Sequence, residues 1–169
     1  DEIIDAQGRV LNAGKPGGEQ AGFKLESKDY KAGKLALYIC KVNGSRKYVI
    51  PVYGMGLWGP ISGYIALNED KATVYGAYFN HESETAGLGA EIKDNQAWQE
   101  KFIGKKVFKV GSSDIVLGVK KVVKNPENEV DAVTGATLTS NGVDEMLKDC
   151  LAKYKLPRLI SEAALSPEK

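Results

Sequence analysis

The side chains best suited to chemistry are the hydroxyls of one short run, Asp131-Ala132-Val133-Thr134-Gly135-Ala136-Thr137-Leu138-Thr139-Ser140-Asn141-Gly142. Threonines lie on both sides of a Gly-Ala pair, directly before a stretch with helical periodicity. Small residues let a bulky group come close to the backbone. A helix start adds unpaired N–H groups and the positive end of a dipole, which suits a phosphate. A threonine hydroxyl held there can bind a phosphate or be esterified by one. The ordinary alternative is that the run only caps the helix. An unactivated hydroxyl is a weak nucleophile, so it is not expected to be esterified unaided.

Two other segments offer surfaces for a ligand. In Gly54-Met55-Gly56-Leu57-Trp58-Gly59-Pro60-Ile61, glycines allow a sharp turn that presents Leu57 and Trp58. Such side chains can stack on a flat ring and exclude water; equally, Trp58 can cap the core. In His81-Glu82-Ser83-Glu84-Thr85-Ala86-Gly87-Leu88-Gly89, Glu84 and Thr85 can hydrogen-bond a ligand and Leu88 can pack on one. The plain alternative is a polar surface loop. Lys120 and Lys121 lie near a strand end upstream of the hydroxyl run, either pointing at a phosphate or simply solvated.

The elements that must position these groups read as α+β, with a mainly antiparallel sheet and a few helices. Residues 3–10 read as a short strand or turn unit and 14–22 as a loop. Residues 35–42 and 47–53 read as strands joined at Asn43-Gly44, a strong hairpin signal. Pro51 suggests an edge or a bulge near the end of the second. Residues 63–67 and 73–79 form another pair around the polar turn 68–71. Residues 95–102 suit a helix with Trp98 and Phe102 on one face. Residues 106–110 and 115–123 read as further strands, and 124–129 as a polar loop. Val143, Met146, Leu147, Cys150, Leu151 and Tyr154 form one apolar stripe, predicting a helix over 141–154. Asp144 and Glu145 then fall in its first turn and Lys153 and Lys155 near its end, as the dipole prefers. Pro157 limits its extension.

The 169 residues suit one domain over 1–169. No run is long and apolar enough for a transmembrane helix. The net charge of +1, with acids and bases interspersed, argues against a nucleic-acid partner. Cys40 and Cys150 read as two buried free thiols. The single histidine, His81, reads as a surface residue with no ligand partner, which excludes an ordinary zinc site. There is no GxSxG elbow and no Gly-rich Rossmann fingerprint.

The pattern Asp-x-x-(Ser/Thr)-Gly-Ala-Thr resembles the acceptor motif of the FMN-binding domain family. In that family a flavin transferase joins FMN, through its phosphate, to the last threonine. Thr137 stands at that position, with Thr134, Gly135, Ala136, Leu138 and Thr139 beside it as cofactor-binding residues. The continuation of this run, the Gly-Leu-Trp segment and the 84–89 loop resemble one branch of the family, the C-type subunits of the sodium-translocating NADH:quinone oxidoreductases. Leu57, Trp58, Glu84, Thr85 and Leu88 are added to the implied flavin site on that basis, and Lys120 from its place just upstream of the acceptor motif. The chain departs from the branch pattern where Ala86 replaces proline and Ser83 replaces glycine, which puts the loop's rigidity in question.

The resemblance implies a covalently held FMN relaying electrons inside a membrane-bound complex, with no full turnover by the domain alone. The implied partners are the other subunits, and the flavin transferase during maturation. The implied location is the outer, periplasmic face of the bacterial inner membrane, reached through a single N-terminal anchor absent from this chain. Three alternatives stand beside it. They are the FMN subunit of the related ferredoxin:NAD electron-transport complex, a non-redox binding or assembly module, and a freestanding flavin reductase, for which no nicotinamide motif is present.

Overall fold

Strand alternation and turn chemistry dominate the first half of the chain. The structure is a computed structural model that describes residues 2–4, 10–13 and 35–154. The expected 14–22 loop and everything after Tyr154 lie outside the described residues. Four long strands form an antiparallel meander: β3 (Leu35–Val42), β4 (Ser45–Met55), β5 (Pro60–Leu67) and β6 (Val74–His81). Two short strands, β1 (Glu2–Ile4) and β2 (Val10–Ala13), extend the sheet beyond β3 in the order β2-β1-β3-β4-β5-β6.

The β3–β4 hairpin closes at Asn43-Gly44, with φ of 51° and 82°. Positive φ at both central residues is the type I′ geometry that matches strand twist. Pro51 causes no bulge: it pairs with Tyr64 in an unbroken β4–β5 register. The β3 ladder stops at Val49, so the missing N–H falls where β4 is flanked on one side only. The register irregularity lies instead between Ala66 and Leu67.

The inner face of the sheet carries Ile50, Val52, Ile61, Ile65, Leu67 and Phe79, all buried. Two short helices cover one end, α1 (Glu91–Asp94) and α2 (Gln96–Glu100). The latter is the core of the helix expected at 95–102. Asn95 caps it by accepting a hydrogen bond from the Trp98 N–H at 3.0 Å. Phe79, Trp98 and Phe102 form an aromatic triangle with centroid separations of 5.2–5.7 Å. Each such pair adds roughly 0.5–1.5 kcal/mol beyond its area burial.

The expected strands at 106–110 and 115–123 form only in part. Isolated bridges join Thr73 to Lys106 and Phe108 to Ile115. The strand itself is β7 (Gly118–Lys120), paired in parallel with β8 (Glu129–Asp131). The 106–117 backbone finds loop partners instead: Val107 donates to the Ala72 carbonyl and Lys106 to that of Glu127. Glu129, expected in a polar loop, begins β8.

The long helix α3 (Thr137–Lys153) packs its apolar stripe on β4 and β7. Val143, Leu147 and Leu151 are fully buried, worth about 1.5–3 kcal/mol each. It starts four residues earlier than its stripe suggests, so Asp144 and Glu145 are not in its first turn. Asp144 accepts a hydrogen bond from the Val119 N–H at 2.9 Å and ties the helix to β7. Burial of both thiols is also corrected. Cys150 is buried, its thiol hydrogen-bonded to the Tyr53 carbonyl at 3.3 Å, but Cys40 is exposed. Among the described residues no helix is long and apolar enough to cross a membrane.

Candidate functional site

The hydroxyl run forms the passage from strand to helix. β8 ends at Asp131, a turn follows, and Thr137 opens α3. The turn closes through the Ala136 N–H donating to the Val133 carbonyl at 3.0 Å. Gly135 has φ of +75°, a conformation L side chains rarely adopt. No side chain caps the helix start. The first-turn N–H groups have no acceptor inside the helix.

Four hydroxyls lie within 134–140, and their environments differ. Ser140 is fully buried, and its oxygen accepts from the Val133 N–H at 3.1 Å. Thr139 is 1% exposed and donates to the Glu84 carboxylate in a short hydrogen bond. Thr134 and Thr137 are exposed. Thr137 lines a groove of about 280 Å³ together with Leu57, Trp58, Glu84, Thr85, Leu88 and Leu138. Thr134 lines a separate cavity of about 310 Å³, beside Lys101, Asp131 and Trp98. The would-be Cβ of Gly135 meets Leu88 Cδ2 at 3.1 Å, so these two residues touch between the cavities.

Three segments distant in sequence thus converge: 57–58, 84–89 and 135–139. Trp58 does not cap the core. It is 65% exposed and stands on the groove wall with Leu57, Leu88 and Leu138, all more than two-fifths exposed. Large apolar groups left open around one groove mark a ligand or partner surface. The 85–90 loop keeps its order without the expected proline, because the Thr85 carbonyl accepts from the Leu88 and Ala90 N–H groups at 3.1 and 3.0 Å.

Glu84 behaves differently from a side chain waiting for a ligand. It is 7% exposed. One carboxylate oxygen accepts from the Trp58 N–H at 2.8 Å, and the other from Thr139. Burial pushes its carboxyl up, but the hydrogen bonds from Thr139 and from the N–H groups of Trp58, Leu57 and Gly59 outweigh it and hold the pKa below its usual value.

Lys120 stands apart from the groove. Its ammonium pairs with Asp144 at 3.3 Å, an acceptor shared with Lys148. Burial lowers its pKa, but the Asp144 charge and the hydrogen bond to Asp144 outweigh that and raise it. Lys121 is exposed and also outside the groove. His81 is half-buried, and its Nδ1 accepts from the Glu84 N–H at 3.2 Å.

Glycines at close approaches carry no role that the sequence alone assigns. A Cβ on Gly56 would sit 2.5 Å from Glu84 Oε1, and one on Gly89 would sit 2.6 Å from Glu84 Oε2 and from Thr139 Oγ1. One on Gly142 would collide with the Met55 carbonyl. The readable signal is Gly142 itself, since glycine inside a helical pattern is costly and usually has a packing reason.

Comparison with known proteins agrees with this geometry. The family model "FMN-binding domain" matches residues 56–152. The chain is 36% identical over 134 residues to the Na(+)-translocating NADH-quinone reductase C-subunit of Haemophilus ducreyi, covering 79% of this chain and 51% of that protein. It is 40% identical over 203 residues to the protein of the same name from Chlamydia pneumoniae, covering 99% of this chain and 63% of that one. The chain therefore spans about half to two thirds of the length of these curated relatives. A crystal structure of the same-named protein from Parabacteroides distasonis superposes with a TM-score of 0.80 at 34% identity, covering 92% of this chain and 76% of that one. A Shewanella oneidensis NqrC structure shares the fold, with a TM-score of 0.73 at 23% identity. With the groove, the hydroxyl at the helix start and these matches in agreement, the chain belongs to the FMN-binding domain family.

Proposed function

We propose that this domain carries FMN as a phosphoester on Thr137 and relays electrons within a sodium-translocating NADH:quinone oxidoreductase. The observation that carries the reading is the sorting of the four hydroxyls. Ser140 and Thr139 are buried and already bonded, and Thr134 lines another cavity. Thr137 alone among them is both exposed and in the groove walled by Leu57, Trp58, Leu88 and Leu138.

The residues present fit the cofactor. A phosphate beside Thr137 Oγ1 meets the uncapped start of a helix of 17 residues. That position favours an anion by roughly 0.3–1 kcal/mol before any direct hydrogen bond. The exposed apolar walls suit a flat, weakly polar ring. Trp58 offers a stacking face, and Leu57, Leu88 and Leu138 remove water from the ring edges. Among the described residues, Glu84 is the sole charged side chain lining the groove, and its carboxylate is already occupied by the chain's own donors.

When bound, FMN supplies the redox chemistry; the chain supplies position, burial and electrostatics. A phosphate linkage leaves the ring unsubstituted, so its potential is set by stacking and polarity of the walls. The tether also prevents loss of the cofactor from a groove that is open on one side. Attachment would need an activated flavin donor, with the threonine oxygen replacing that donor's leaving group on phosphorus, so that the product differs from free FMN by one water. A separate flavin transferase carries this out, because among the described residues no base is aimed at Thr137. Electron donor and acceptor are other subunits of the membrane complex. The names of the curated relatives favour the sodium-translocating complex over its ferredoxin:NAD counterpart. In that reading the domain faces the outer side of the bacterial inner membrane, held by a single anchor.

The test is an intact-mass spectrum with a visible absorption scan on wild type and Thr137→Val, each produced with and without the transferase. Wild type made with it should gain the mass of one FMN less one water and absorb as a flavin. Pigment that survives denaturation in Thr137→Val refutes the assignment.

A further inference from the structure

The groove depends on a contact between elements that have no covalent or ladder connection. The turn at 56–59 carries Leu57 and Trp58; it closes on itself by the Gly56 N–H donating to the Gly59 carbonyl at 2.8 Å. The first turn of α3 carries Thr137, Leu138 and Thr139. Between them lies the Glu84 carboxylate, accepting the Trp58 N–H on one oxygen and the Thr139 hydroxyl on the other. The Leu57 and Gly59 N–H groups also favour its charged form. Gly56 and Gly89 lack the Cβ atoms that would push this carboxylate out of place.

We propose that Glu84 is a positioning residue rather than a flavin ligand: its carboxylate clamps the 56–59 turn to the first turn of α3 and so sets the width of the groove. The clamp has a second effect. It holds the Thr139 hydroxyl as a committed donor, which leaves Thr137 as the available hydroxyl of the helix start in the groove. The consequence for flavin rests on the reading above, but the clamp is a property of the protein without cofactor.

The physical case is one of satisfaction. A buried carboxylate is costly unless its lone pairs are filled, and here they are filled by groups of the same chain. Hydrogen bonds to an ionised acceptor are roughly twice as strong as neutral ones. A ligand atom competing for the same oxygens would have to displace Trp58 or Thr139. Support of this kind, from a residue that fixes the walls rather than touching the bound group, is how binding sites hold their geometry.

The test begins with flavin-free protein, made without the transferase, and measures amide hydrogen exchange at Leu57, Trp58 and Gly59. Glu84→Ala should speed exchange at these three amides by tenfold or more while Ile50 and Ile65 on the β4–β5 ladder keep wild-type rates. Wild-type rates at all three, or an equal rise at Ile50 and Ile65, would overturn the clamp. Glu84→Gln keeps the shape and one acceptor oxygen but replaces the other with an NH2 donor and removes the charge, and should give a smaller rise at the same amides. If Glu84→Ala does not fold, absence of that local rise in Glu84→Gln overturns the proposal. With the transferase present, Glu84→Ala should load less flavin on Thr137 and alter the visible circular dichroism of what is loaded; unchanged loading and spectrum would overturn the positioning role. Wild type that takes up no flavin under the same conditions would sink the functional reading while leaving the exchange result intact.

Discussion

Replacing Gly142 with alanine sets two known effects against each other. The residue is the sixth of α3, and alanine in a helix interior is favoured over glycine by about 1 kcal/mol. Opposing this, the new methyl would run into the Met55 carbonyl, with the Gly56 Cα of the same peptide group at 3.3 Å. Both neighbours are backbone, so no side chain can rotate away. The helix or the end of β4 must move, and overpacking of this kind costs typically 1–3 kcal/mol. With backbone well inside contact distance the cost falls in the upper part of that range, about 2–3 kcal/mol, so the net loss is about 1–2 kcal/mol. With a urea dependence of about 2 kcal/mol per molar, the midpoint should fall by roughly 0.5–1 M. Asn141→Ala, at an exposed neighbour on the same helix, should change stability by less than about 0.5 kcal/mol. Urea melts followed by tryptophan fluorescence make the comparison. A Gly142→Ala midpoint equal to or above wild type would refute the close crossing of α3 over Met55.

Other outcomes follow from the same geometry. Thr134→Val should keep full flavin attachment in intact-mass spectra, because Thr134 lines the neighbouring cavity, whereas Thr137→Val should abolish it. Gly135→Val forces a β-branched residue to φ of +75° and pushes Leu88, so it should lower thermal stability by about 1–2 kcal/mol from backbone strain and reduce flavin loading; unchanged values of both would count against the turn. Glu84 is held below its usual pKa of 4.5 by hydrogen bonds that outweigh burial, and Glu129 chiefly by the Asn125 and Lys124 N–H groups. A carboxyl lowered on folding stabilises fully above its unfolded pKa and loses that contribution as pH falls through the folded value. Urea midpoints should therefore decline below about pH 5, and the decline should be shallower in Glu84→Gln.

The meander is legible in sequence because its signals are local. Asn43-Gly44 demands a tight reversal, and alternation through Ile50, Val52, Ile61 and Ile65 marks the buried face. The start of α3 is hidden for the opposite reason. Thr137, Thr139 and Ser140 read as loop residues, and their place in a helix is secured by Glu84 and Val133, partners that local pattern cannot reveal. The parallel pairing of β7 with β8 is hidden in the same way, since neither three-residue strand has a period long enough to read. The three segments of the groove come from family resemblance, and Trp58 takes an exposed place where composition alone would assign it to the core. Glu84 stands out in sequence, but as a ligand contact, because a carboxylate facing backbone donors of a distant turn leaves no mark in its own neighbourhood. Lys120 is drawn to the site by proximity in sequence, and Asp144 takes its charge elsewhere.

The closing of the groove by α3 also orders events during synthesis. Its walls come from the 57–58 turn and the 84–89 loop, but its acceptor side is held down by Val143, Leu147 and Leu151, which reach the core only when the last described helix is complete. A ribosome that has released Thr137 has not yet released the residues that seat it. Any enzyme that needs that hydroxyl seated thus meets a chain in which α3 has already packed, and a chain cut short before Val143 keeps the motif with no helix to present it.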